Sequence, residues 1–121
     1  MKFTHFLLCC LSFCSASATW AQTPGERLSK LFDEEWEYGL KESPTFASHL
    51  GDKRYNDHWA DTSLAAIKRR HLHQVELLKK LADFDEKQLT PAERLNFRLF
   101  RRHVEVELEE YPFQWHLVPL D

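Results

Sequence analysis

One helix-start signal occurs twice in this chain, as Thr23-Pro24-Gly25-Glu26 and as Thr90-Pro91-Ala92-Glu93. In each, the threonine can cap, the proline suits the first helical turn, and the glutamate can reach back to the cap's own N–H. Apolar residues then recur after each start at three-to-four spacing. That period belongs to helices and excludes strands. Leu28, Leu31, Phe32, Glu35, Trp36 and Leu40 predict a first helix over Pro24 to Lys41. Ser43-Pro44 opens a short second one through Leu50, with Gly51 as its left-handed stop. Thr62-Ser63 opens a third, on which Leu64, Ile67, His71, Gln74, Val75, Leu78, Leu81 and Ala82 form the stripe. The fourth places Leu95, Leu99, His103, Val106 and Glu110 on one line. Phe97, Phe100, Val104, Leu108 and Tyr111 broaden its apolar surface up to Pro112, which ends it. The fold class is all-α, with about four helices.

Asp83 to Leu89 is a short connection, so helices three and four are expected to form an antiparallel hairpin. Glu105, Glu107, Glu109 and Glu110 crowd a helix C-terminus, where the dipole disfavours anions. The hairpin sets that end beside Lys68, Arg69 and Arg70. Cross-helix ion pairs are expected there, each contributing under about 1 kcal/mol because it is solvated.

Residues 1–21 read as an export signal rather than as fold. Lys2 supplies the positive charge. Phe6 to Phe13 is an apolar run too short to span a bilayer, which takes about 20 residues. Cleavage fits after Ala18 or after Ala21, and the helix start just beyond favours Ala21. Leu8 before Cys9 and Phe13 before Cys14 argue against lipidation. The three cysteines, Cys9, Cys10 and Cys14, all lie in this leader. Residues 22–121 therefore have no disulfide framework, thiol catalyst or cysteine-bound zinc. They make one small domain at most, net acidic, because Lys2 is lost and all 19 acidic residues stay. Nothing in that charge points to nucleic acid, and no second apolar span points to a membrane after signal cleavage.

Metal and catalytic chemistry find little support. The zinc-hydrolase pattern His-Glu-x-x-His does not occur. His71 and His73 diverge by about 200° on a helix, so they cannot share an ion. His103 and Glu107 could face one ion, with His71 from the next helix, but an ion pair and structural histidines explain them as well. Ser43, Ser63, Thr23, Thr62 and Thr90 are caps, and no Gly-x-Ser-x-Gly elbow exists. Paired acids such as Asp33-Glu34-Glu35 read as solvated faces. The three glycines form no phosphate loop. The loop Asp52 to Asp61 carries Tyr55 and Trp59 among charges and is expected to pack down. Arg54, Tyr55 and Asp57 there are either a structural cluster or the lining of a cleft. The aromatic tail from Tyr111 to Leu120 is apolar for a terminus, which signals an uncovered surface.

Several pieces, in order, resemble a known family. Leu31-Phe32-Asp33-Glu34-Glu35-Trp36 resembles its opening helix. Glu42-Ser43-Pro44, Leu50-Gly51-Asp52 and Arg54-Tyr55-Asn56-Asp57 resemble its early block. Leu95-Asn96-Phe97-Arg98-Leu99-Phe100 resembles its next block, and Leu117-Val118-Pro119-Leu120 the approach to the segment after that. The family is the domain of unknown function 885 family, bacterial proteins similar to zincin-type metallopeptidases. The resemblance implies the amino-terminal helical portion of a larger, exported, zinc-dependent enzyme that is periplasmic or secreted. Its partners are then the missing C-terminal catalytic portion and a peptide substrate. No catalytic or metal residue carries over to this chain. Zinc is implied for the full-length family alone, so this portion is expected to be inactive by itself. The alternative is a small helical periplasmic binding or adaptor protein.

Overall fold

The computed structural model describes residues 22–114, 117 and 118. The expected signal peptide and both cleavage positions lie outside them, as does much of the aromatic tail. Helices α1 (Pro24–Glu42), α2 (Pro44–His49), α3 (Leu64–Ala82) and α4 (Pro91–Glu110) come in that order, with short 3₁₀ turns at Glu86–Gln88 and Tyr111–Phe113. No strand occurs among the described residues.

Both Thr-Pro-x-Glu signals form complete capping boxes. Thr23 N–H donates to Glu26 Oε2 at 2.8 Å, and Thr90 N–H to Glu93 Oε2 at 2.8 Å. The two boxes also meet in space. A Cβ placed on Gly25 would come 2.1 Å from Glu93 Oε1. A side chain at Gly25 would therefore displace the Glu93 carboxylate, which also holds the second box. At the end of α2, Gly51 takes φ +87°. Asp52 N–H then reaches Ala47 C=O at 2.9 Å and Gly51 N–H reaches Ser48 C=O at 3.0 Å. This is the paired-bond stop that a left-handed residue permits.

Helices α3 and α4 pack as the antiparallel hairpin. Phe84 meets Phe97 at one end, and His71 stacks on Tyr111 at the other. Helix α1 lies against both, parallel to α4 and antiparallel to α3. Phe32 meets Phe100 edge-on at 4.9 Å, and Glu42 meets Arg69 and Arg70. The core gathers Leu28 and Leu31 of α1, Leu77 and Leu81 of α3, Leu89 of the connection, and Phe97 and Val104 of α4.

Three expectations change. Arg69 and Arg70 pair with Glu42 of α1, not with the acids of α4. Antiparallel packing brings the end of α1 to the start of α3. The acids of α4 find cations one or two turns back on their own helix instead: Arg101 to Glu105 at 2.9 Å and Arg102 to Glu109 at 3.0 Å. Such pairs need no chain closure to form. Trp59 does not pack down; it is 85% exposed. On α4, the Phe97–Val104 side faces the core while Leu95 and Leu99 face out. As expected, α4 ends at Glu110 just ahead of Pro112, which sits inside a 3₁₀ turn that closes at Gln114 with φ 50°.

Candidate functional site

Above the packed core, the three long helices part around a cavity of about 470 Å³. Helical spacing selects its lining. Glu35 and Tyr38 share one face of α1, while Ile67, Arg70, His71, Gln74 and Leu77 share one face of α3. Phe100, His103, Val104 and Glu107 repeat at the same period on α4, and Tyr111 closes the rim.

Charges around this cavity are paired. His73 Nε2 meets Glu35 Oε2 at 2.6 Å between α3 and α1, with both side chains largely covered. His103 Nε2 meets Glu107 Oε1 at 3.2 Å. Arg70 Nη1 donates to Glu42 Oε2 at 3.3 Å and to Asp61 C=O at 2.8 Å. Ring stacking fixes two of these groups. Tyr38 lies over His73 at 3.7 Å between centroids, and His71 lies over Tyr111 at 3.6 Å. Among the described residues, two covered neutral atoms have no hydrogen-bond partner: the Tyr38 hydroxyl and the Gln74 side-chain oxygen. Burial, reinforced by the charge of Glu42, pushes the Tyr38 phenol above its usual range, with Arg69 and Arg70 opposing. The hydroxyl therefore keeps its proton and is a donor at neutral pH.

A second, more apolar groove of about 460 Å³ runs outside this cavity between α1 and α4. Phe32, Trp36, Leu99 and Phe100 line it, with Asn96, Glu35 and His103 at its edges. Trp36 is 54% exposed and Leu99 62%. Phe46 of α2 meets Trp36 edge-on at 6.2 Å.

The sequence-selected loop residues lie elsewhere, beside α2. Arg54 bridges Asp52 and Glu37: Nε reaches Asp52 Oδ2 at 2.9 Å and Nη1 reaches Glu37 Oε2 at 2.8 Å. Those hydrogen bonds raise the Arg54 guanidinium further and hold the Asp52 carboxyl below its usual range. Tyr55 is half-buried with the Arg54 guanidinium 5.4 Å from its ring centre. Asp57 is exposed and contacts the His58 ring. Tyr55 also borders a small hollow of about 220 Å³ with Trp59, His58 and Arg69. Arg54 thus ties the loop to α1, and neither it nor Asp57 reaches the interhelical cavity.

The sequence pattern does not single out Tyr38, and it sets Glu35 and Gln74 within apolar stripes. Their usable signal is polarity at core register. His71 and His103 both border the cavity, but His103 is exposed rather than set in the hairpin core. Among the described residues, however, no three His, Cys, Asp or Glu side chains group to hold a metal ion. His71 is turned to Tyr111 and His103 to Glu107. No described helix is long and apolar enough to cross a membrane.

The family model described as "bacterial protein of unknown function (DUF885)" matches residues 44–120. No curated protein and no solved structure matches the chain.

Proposed function

We propose, from the premise that this chain belongs to the DUF885 family, that it is the amino-terminal helical portion of an exported, zinc-dependent peptidase-like protein. In that protein it provides a wall of binding surface rather than the hydrolytic groups. The supporting observation is the open groove between α1 and α4, where Trp36 and Leu99 stand exposed over Phe32 and Phe100. Apolar surface in such a run stabilises the protein by about 25 cal/mol per Å² once covered, and uncovered it signals a docking partner. The described residues offer zinc no ligand set, so hydrolysis is assigned to the rest of the parent protein.

The test is to read and express the frame beyond Asp121. A His-Glu-x-x-His helix, bound zinc and peptide hydrolysis in the longer product are expected. Supplied separately, the remainder is expected to bind this chain, and Trp36→Asp with Leu99→Asp to abolish that binding. Unrelated downstream sequence overturns the reading. A second reading, a self-sufficient periplasmic adaptor, is favoured by the continuous core shared by the three long helices. A sharp, aggregation-free thermal transition of the chain alone supports it.

A further inference from the structure

We propose that the small hollow between the end of α1, the loop after α2 and the start of α3 binds a compact aromatic carboxylate. The hollow shares no lining residue with the interhelical cavity or the outer groove. Trp59 and Tyr55 form its aromatic wall. Trp59 is 85% exposed, more than any other large apolar side chain described. An indole left in water gains when a flat ring covers it, by removal of apolar surface and by attraction between the rings. Tyr55 is half-buried with the Arg54 guanidinium against its ring, so this part of the wall is in place before a ligand arrives.

Cations set the charge of the ligand. Lys41 and Arg69 line the same hollow. Lys41 is exposed and, among the described residues, has no ion-pair partner. Arg69 reaches Glu42 through Nη2 alone, so its Nε and Nη1 keep N–H donors, and its side chain is 55% exposed. The acids beside them are already engaged. Glu42 accepts from both Arg69 and Arg70, and Asp61 accepts from the Ser63 N–H at 2.9 Å. A carboxylate therefore meets an accessible ammonium and an accessible guanidinium edge, whereas an ammonium ligand meets unopposed positive charge. The hollow holds about 220 Å³, roughly seven times the 30 Å³ share of one water. That suits a ring or a fused pair with its carboxylate, and not an oligomer. Nothing in this assignment rests on the peptidase relationship.

The experiment titrates the full chain with 2-naphthoate and follows, by NMR, the Trp59 indole N–H and the backbone amides of residues 55–61. Saturable shifts are expected at both. Trp59→Ala is expected to weaken binding about fivefold or more, the loss of the stacking surface. Lys41→Gln is expected to weaken it about two- to fivefold, the size of one solvated ion pair. Both side chains are exposed, so neither change disturbs the fold. 2-Naphthamide keeps the rings without the charge and is expected to bind about tenfold more weakly. Cyclohexanecarboxylate keeps the charge without the flat ring and is expected to bind about fivefold more weakly. Leu99→Ala, in the outer groove, is expected to leave affinity unchanged. The proposal is overturned by absent saturation at millimolar ligand, by equal binding of the amide, by tighter binding of methyl β-D-glucoside, or by full affinity in either variant. Shifts confined to Trp36 and Leu99 place the ring in the outer groove and overturn it as well. The assay contains no zinc and reads no hydrolysis, so its failure leaves the proposed function standing.

Discussion

At the end of the bundle where α1 and α4 begin, Leu28, Leu31, Leu77, Leu81, Leu89 and Phe97 close on one another, and two capping boxes abut. At the other end the same three helices hold Glu35, Tyr38, His71 and Gln74 beside the buried Val104, and there they part around a cavity with the exposed His103 at its rim. The difference lies in side chains, not backbone. Aliphatic groups gain from any close neighbour, so they close without demanding geometry. Polar groups gain only from a correctly placed partner, so they hold the helices to the few arrangements that supply one. The packed end carries the stability. The polar end gives up some of it and leaves the covered Tyr38 hydroxyl and Gln74 oxygen without partners.

Phe97→Ala challenges this contrast most strongly. Phe97 is 1% exposed at the closed end. Its loss is expected to cost about 3–5 kcal/mol, read by urea denaturation. A cost below about 1 kcal/mol means that the closed end does not carry the fold. Tyr38→Phe sharpens the contrast from the other side. The hydroxyl it removes has no partner. The change is expected to stabilise the free protein by up to about 1 kcal/mol, a rise in Tm of several degrees. A lower Tm means that the hydroxyl makes a hydrogen bond in the free protein, and the polar end is then not the weaker one. The smallest effect is expected at the loop, outside both ends. Hydrogen bonds from Arg54 hold the Asp52 carboxyl below its ordinary range. Its contribution is present above the unfolded value and is lost as pH falls through the lower folded one. Amide protection of residues 52–58, taken relative to the intrinsic exchange rate at each pH, is expected to fall below about pH 4 before that of the core, and Asp52→Asn to flatten the response. Core and loop exchanging together would show that this loop is not held independently.

Much of this arrangement could be read in advance. Thr23, Ser63 and Thr90 cap the helices that their local patterns named, and Gly51 adopts the expected left-handed conformation. These are contacts between near neighbours, so residue order alone constrains them. The ion pairs were less accessible. Arg69 and Arg70 had acids available on both α1 and α4, and only the packing of α1 along α3 selects Glu42. On α4, Phe97 and Leu99 lie two positions apart, so they face nearly opposite ways. Which of them is buried depends on how the helix rolls against its neighbours. The site showed the same limit. Glu35, His71, Gln74 and His103 could be seen as polar residues in apolar stripes, but Tyr38 shows its role only with its neighbours in place.

The sequence by itself determined the helices, their ends, the hairpin and the family, because caps, periodicity and short links act over a few residues along the chain. Only the tertiary structure decided that α1 joins the hairpin in parallel with α4, that Gly25 lies against Glu93, and that the Tyr38 hydroxyl and the Gln74 oxygen are covered without partners beside one cavity. Those outcomes depend on side chains far apart in sequence competing for the same space, and that competition has no result until the helices pack.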